Sequence, residues 1–186
     1  MISDFQLSAS CLSAVTEVIR QMETVFGRVR IQKTAYFLKR QGLRELDEVE
    51  FFYHHYGPFS WTVAESLNDG VRCNALQEEA KPLEDDRQAY AYRVTKEADT
   101  QVDDVSPASR ALVGRTVTLL RKEHWRTLEL ASTIDYLEQR EGLGRTDAVS
   151  RALGLKPACR DYQAPALRLL EQLALPSSAS GRALQR

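Results

Sequence analysis

No stretch of this chain approaches the roughly 20 consecutive apolar residues of a membrane-spanning helix, and its N-terminus lacks a basic segment followed by an apolar run. The expectation is a cytoplasmic protein with no membrane association. Cysteine is scarce: Cys11, Cys73 and Cys159 are odd in number and far apart, which argues against a disulfide framework. His54, His55 and His124 have no cysteine neighbours at zinc-site spacing, so no structural metal is expected. The sequence also holds no Gly-x-Ser-x-Gly elbow, no phosphate-binding P-loop and no dinucleotide fingerprint. An ordinary hydrolase, a nucleotide enzyme and a bound cofactor are therefore not expected. Internal repeats are absent as well.

What remains is a soluble-type composition: 186 residues, 43% apolar and 27% charged, enough for one good core or two small ones. The net charge of -1 conceals an uneven distribution. Arg20, Arg28, Arg30, Lys33, Lys39, Arg40 and Arg44 meet few acids before Glu45, whereas Glu78, Glu79, Glu84, Asp85, Asp86, Glu97, Asp99, Asp103 and Asp104 dominate the middle. Such asymmetry either orients an encounter with a charged partner or forms a solvated face.

Apolar periodicity predicts a first helix over 8–25, from Leu12, Val15, Val18, Ile19 and Met22, and a second over 28–41, with Ile31, Ala35 and Leu38 on one stripe and basic residues on another. The aromatic run 49–56 reads as a strand that stops at Gly57-Pro58. Ser60 caps a third helix from Trp61 to about Asn68, and 71–78 and 89–95 read as two strands. This order predicts a winged-helix-like N-terminal lobe over 1–105, with the two strands as the wing. A second, helical lobe spans 106–175. Ser106-Pro107 opens its first helix, running to about Lys122, the next covers 124–140, Thr146 caps a short one ending at Leu153, and Ala166, Leu169, Leu170 and Leu173 mark the last. Residues 176–186 read as a loose tail. The fold class is thus α+β, predominantly helical.

Candidate chemistry is sparse. His54 and His55 beside Tyr53 and Tyr56 have the residue types for proton transfer, but neighbours on a strand point to opposite faces, and no acid is placed to orient either imidazole. Packing or turn formation is the plainer reading. Lys33 near the arginines of the second helix suits a phosphate or carboxylate on a partner, against the alternative of an exposed amphipathic helix with Tyr36 partly buried. The third helix carries Glu65 and Asp69 and lacks Lys or Arg before Gly70, so phosphates would repel it as a DNA-reading helix.

The combination of Ile31-Gln32-Lys33 and Tyr36-Phe37-Leu38 with His55-Tyr56-Gly57-Pro58 and Ser60 resembles the YwgA-like proteins and the related C-terminal domain of the DarG antitoxins. More distantly it is similar to the SocA or Panacea antitoxin domain. The run from Leu128 to Leu137, with Lys156-Pro157 beyond it, extends the likeness over most of 8–175. The resemblance implies a non-enzymatic module that sequesters a protein partner, in the DarG case a nucleic-acid-modifying toxin whose groove it blocks. On that basis the candidate partner contacts are Arg30, Lys33, Tyr36, His55, Tyr56, Trp61, Glu65, Asp69, Glu84, Asp85 and Asp86, with Glu65, Asp69 and the acidic run from Glu78 to Asp86 imitating phosphates. The alternative is a winged-helix transcriptional regulator that binds DNA through the basic face of the second helix or the wing. A third reading is an enzyme built around His54, His55 and Tyr56.

Overall fold

The computed structural model describes residues 4–82 and 88–176. It is a predominantly helical α+β protein. Helix α1 (Asp4–Met22) buries Cys11, Ala14, Val15, Val18, Ile19 and Met22. It stops three residues short of the predicted end, because Glu23 takes a left-handed φ of 65° and turns the chain into a short strand, β1 (Val25–Phe26). Helix α2 (Arg28–Arg40) follows, then a 3-10 turn at Arg44–Leu46.

The predicted strand at 49–56 is instead a hairpin. Strand β2 (Phe52–His54) pairs antiparallel with β3 (Gly57–Phe59), matching Phe52 to Phe59 and His54 to Gly57. The turn residues His55 and Tyr56 keep negative φ, and the positive φ of 84° falls on Gly57. Ser60 caps α3 (Trp61–Arg72) by accepting from the Val63 amide at 3.4 Å. The helix runs four residues past its predicted end at Asn68 and carries Gly70 inside it. A Cβ there would lie 2.6 Å from Leu76 Cδ1 and 3.1 Å from Leu12 Cδ1, so glycine lets α1 and the next strand close on the helix. Because α3 takes Val71 and Arg72, strand β4 starts only at Leu76 and runs to Pro82; β5 (Gln88–Val94) pairs with it. The sheet order is β1-β5-β4 with both pairings antiparallel, and α1, α2 and α3 precede the β4–β5 pair in the chain.

After the short α4 (Ala98–Gln101), α5 (Pro107–Leu120) begins as predicted, with Ser106 accepting from the Ser109 amide at 3.1 Å. Helix α6 (Trp125–Glu141) ends at Gly142, left-handed at φ 66°. Helix α7 (Arg145–Leu155) opens on Gly144 with no side-chain cap, so Thr146 lies inside it and Gly154 does not terminate it. A 3-10 segment, Pro157–Tyr162, leads into α8 (Gln163–Leu173). None of the described helices is long and apolar enough to cross a membrane.

Two apolar clusters organise these elements. The first gathers α1, β1, α3, β4 and β5 with Ile31, Ala35 and Leu38 of α2 and Val113 and Val117 of α5. The second gathers α6, α7 and α8 with Tyr36 and Phe37 of α2 and Leu120 of α5. Helices α2 and α5 therefore serve both, and the junction at 105/106 is a change of connectivity rather than a break in packing. For α2 the consequence is enclosure of its middle: every residue from Ile31 to Leu38 is buried. The predicted basic stripe along it does not reach solvent at Lys33.

Candidate functional site

The sequence pieces that carry the family resemblance meet in one buried polar network. Its task is to hold the β2–β3 hairpin on α2 and α6. Lys33 of α2, 1% exposed, donates from Nζ to the Pro58 carbonyl at 2.7 Å. One turn position earlier, Gln32 grips Ser60 twice, donating to its carbonyl and accepting from its amide, both at 2.9 Å. From the other side Lys156 donates to the His55 carbonyl and pairs with Glu129 Oε1 at 3.0 Å. Glu129 and Lys156 are both nearly excluded from solvent. The hairpin backbone lies directly on α6: a Cβ on Gly57 would come within 2.5 Å of Thr133 Oγ1. The Ser132 and Thr133 hydroxyls satisfy themselves on the Glu129 carbonyl, at 3.1 and 2.8 Å, leaving a small, flat bed for the glycine.

A second knot ties α2 to α6 beside the first. Asp135 Oδ2 accepts from the Tyr36 hydroxyl at 2.6 Å and from Arg40 Nε at 2.8 Å. Burial, and then the Asp135 carboxylate, push the Tyr36 phenol well above its usual range, so it stays a neutral donor. Burial pushes the Lys33 ammonium down to about 7, with Glu129 pulling it up and Lys156 pushing it further down. The Cys159 thiol sits 3.8 Å from Glu129 Oε2. Burial and that carboxylate raise it to about 11, which makes it a poor nucleophile.

These positions revise the expected contacts. Lys33 and Tyr36 lie inside the protein, donating to the Pro58 carbonyl and the Asp135 carboxylate, and Arg30 spends its guanidinium on the Leu120 and Glu123 carbonyls at the end of α5, at 2.8 and 2.7 Å. The three residues therefore build the fold instead of forming a displayed clamp for a ligand. His55, Tyr56, Trp61 and Glu65 are exposed, as a contact surface requires. The His54 and His55 rings lie against each other, centroids 4.7 Å apart, and His54 also meets Phe59 at 5.1 Å. Asp69 is paired with Arg72 and accepts from Ser8 Oγ at 3.2 Å. Glu78 is paired with Arg28 and Glu79 with Lys81. Among the described acids of the proposed phosphate-like pattern only Glu65 has no cation beside it; Glu84, Asp85 and Asp86 lie outside the described residues.

The same network positions an outward-facing feature. Lys156, while holding the hairpin turn, sits 5.5 Å from the Tyr53 ring centre and 5.9 Å from that of Tyr56. Tyr56 then meets Trp125, at the start of α6, edge to face at 6.5 Å. Together with Phe26 they line a groove of about 550 Å³ between β1, the first turn of α2 and the start of α6, floored by Met22, Val29 and Ala89. Phe26 is 60% exposed and Trp125 37%. The chain matches no family model and no curated protein sequence.

Phe26 and Trp125 did not stand out in sequence as contacts. Phe26 falls just past the predicted end of the first helix at residue 25, and Trp125 reads as one more apolar position on an amphipathic helix. The available signal was the placement of both beside helix boundaries, at Gly27 and His124, where an aromatic has no neighbouring turn to cover it.

Proposed function

We propose that this chain is a non-enzymatic protein-binding module that sequesters a protein partner, in the antitoxin-like manner that the sequence resemblance implies. The observation that carries the reading is the aromatic groove. Among the described residues seven large apolar side chains are exposed, and three of them, Phe26, Tyr56 and Trp125, converge on it. Exposed apolar residues scattered singly need no explanation, whereas aromatics gathered in one concavity mark a contact surface. The anchoring of Tyr56 supports the reading further. A hairpin pinned by Lys33, Gln32 and Lys156 presents its aromatic with little entropy left to lose on binding. Sequestration of a nucleic-acid-modifying toxin through phosphate-like acids has weaker support, since Asp69, Glu78 and Glu79 are already neutralised.

The test is affinity purification of the tagged protein from its native cell with nuclease treatment, wild type beside Trp125→Ala. The expected result is a protein partner in near-equal amount that survives nuclease and falls about tenfold or more with Trp125→Ala, while the circular dichroism spectrum is retained. Recovery of nucleic acid alone, lost on nuclease treatment, would instead establish the DNA-binding regulator.

A further inference from the structure

The groove has a charge as well as a shape. Its lining includes Arg30 and Arg121 and no acid. Two more cations stand at its border: Arg126 lies over the Trp125 ring, 4.8 Å from its centre, and Arg93 Nε donates to Thr24, a lining residue, at 2.9 Å. Of the two lining cations Arg30 is held by the Leu120 and Glu123 carbonyls, so Arg121, exposed on the C-terminal cap of α5, is the lining cation left to meet a ligand. Glu23 and Glu123 adjoin this region in sequence but their side chains do not line it.

We infer that the groove takes an acidic peptide segment carrying a large apolar anchor, the anchor seated between Phe26, Tyr56 and Trp125 and a flanking carboxylate on Arg121. This rests on the protein-binding reading above and specifies the partner's chemistry. Apolar walls favour a buried anchor by removing its surface from water, and a lining that holds two arginines and no acid selects the sign of its neighbours. A second copy of this chain is a poorer occupant, because apposed copies of the groove would set Arg121 against Arg121. A nucleic-acid strand is poorer too. It requires cations spaced along a track, and beyond the groove Arg28 of α2 and Lys81 of β4 are each paired with a glutamate.

The experiment is selection of random dodecapeptides displayed on phage against the immobilised full chain, with counter-selection on Trp125→Ala. Selected peptides are then titrated by fluorescence polarisation, beside an oligothymidylate of the same length. The expected result is enrichment of Asp or Glu next to Trp, Phe or Leu, an affinity about tenfold lower for Arg121→Glu, and weaker binding at high salt. Enrichment of apolar peptides without acids, with binding indifferent to Arg121→Glu, would overturn the acidic specificity and leave the protein-binding reading standing. Tighter binding of the oligothymidylate than of any peptide would overturn both. Failure to enrich any peptide that Trp125→Ala rejects would overturn the inference, and the affinity purification then judges the broader reading by itself.

Discussion

At Lys33 burial and hydrogen bonding pull in opposite directions. The ammonium donates to the Pro58 carbonyl and so pins the hairpin, yet desolvation lowers its pKa from 10.5 to about 7 in the folded protein. Between those two values the unfolded chain binds more protons than the folded one, so stability must rise as pH increases through that window. A Lys33→Met variant lacks this contribution. The stability of wild type relative to Lys33→Met is expected to climb by up to ~1.4 kcal/mol per pH unit from about pH 7 towards 10, read from urea unfolding at each pH. Equal slopes for the two proteins would refute a depressed Lys33. Gly57 gives a second test at the same scale. Gly57→Ala meets both a left-handed φ and the Thr133 hydroxyl, and is expected to cost roughly 2–4 kcal/mol. Adding Thr133→Ala should restore the part due to the clash and leave the part due to φ, which a double-mutant cycle in denaturant separates.

Among the elements, α2 shows best what periodicity can and cannot say. Its helical character and its apolar positions Ile31, Ala35 and Leu38 were legible, but Lys33 and Tyr36 looked like an outer face. They are inside because a second layer, α6, covers that side and brings Asp135 to Tyr36 and Glu129 towards Lys33. No spacing within α2 encodes a partner about a hundred positions away. Asp135→Ala would leave the buried Tyr36 hydroxyl unpaired and Arg40 with only the Pro176 carbonyl, and should cost about 3 kcal/mol, whereas Tyr36→Phe, which leaves the Arg40–Asp135 pair intact, should cost about 1 kcal/mol. Equal losses in the two variants, measured by guanidinium unfolding, would mean that the ion pair contributes little. The hairpin was half legible in the same way. The chain does reverse near Gly57-Pro58, but the first strand already stops at His54, and Gly57 and Pro58 open the partner strand that was not expected.

For the molecule as a whole, the shared helices α2 and α5 make two separately unfolding lobes an unfavourable outcome. Loss of the second cluster would expose Tyr36, Phe37 and Leu120 on helices whose other residues are packed in the first. A single cooperative transition is expected. Trp61 reports the first lobe in a Trp125→Phe variant and Trp125 the second in Trp61→Phe; both fluorescence midpoints should coincide with that of far-UV circular dichroism, once corrected for the cost of each substitution. Two resolved transitions would show that the lobes are energetically separate. The chain by itself determined the class of fold, most helix positions, the Ser60 and Ser106 caps and the strand at 88–94, because those depend on residues within a few positions of one another. Tertiary structure decided which polar residues are interior and where the aromatics gather. Burial of Lys33, Glu129 and Lys156 around one hairpin, and the meeting of Phe26, Tyr56 and Trp125, arise from contacts between segments far apart in sequence, whose geometry only the packed layers supply.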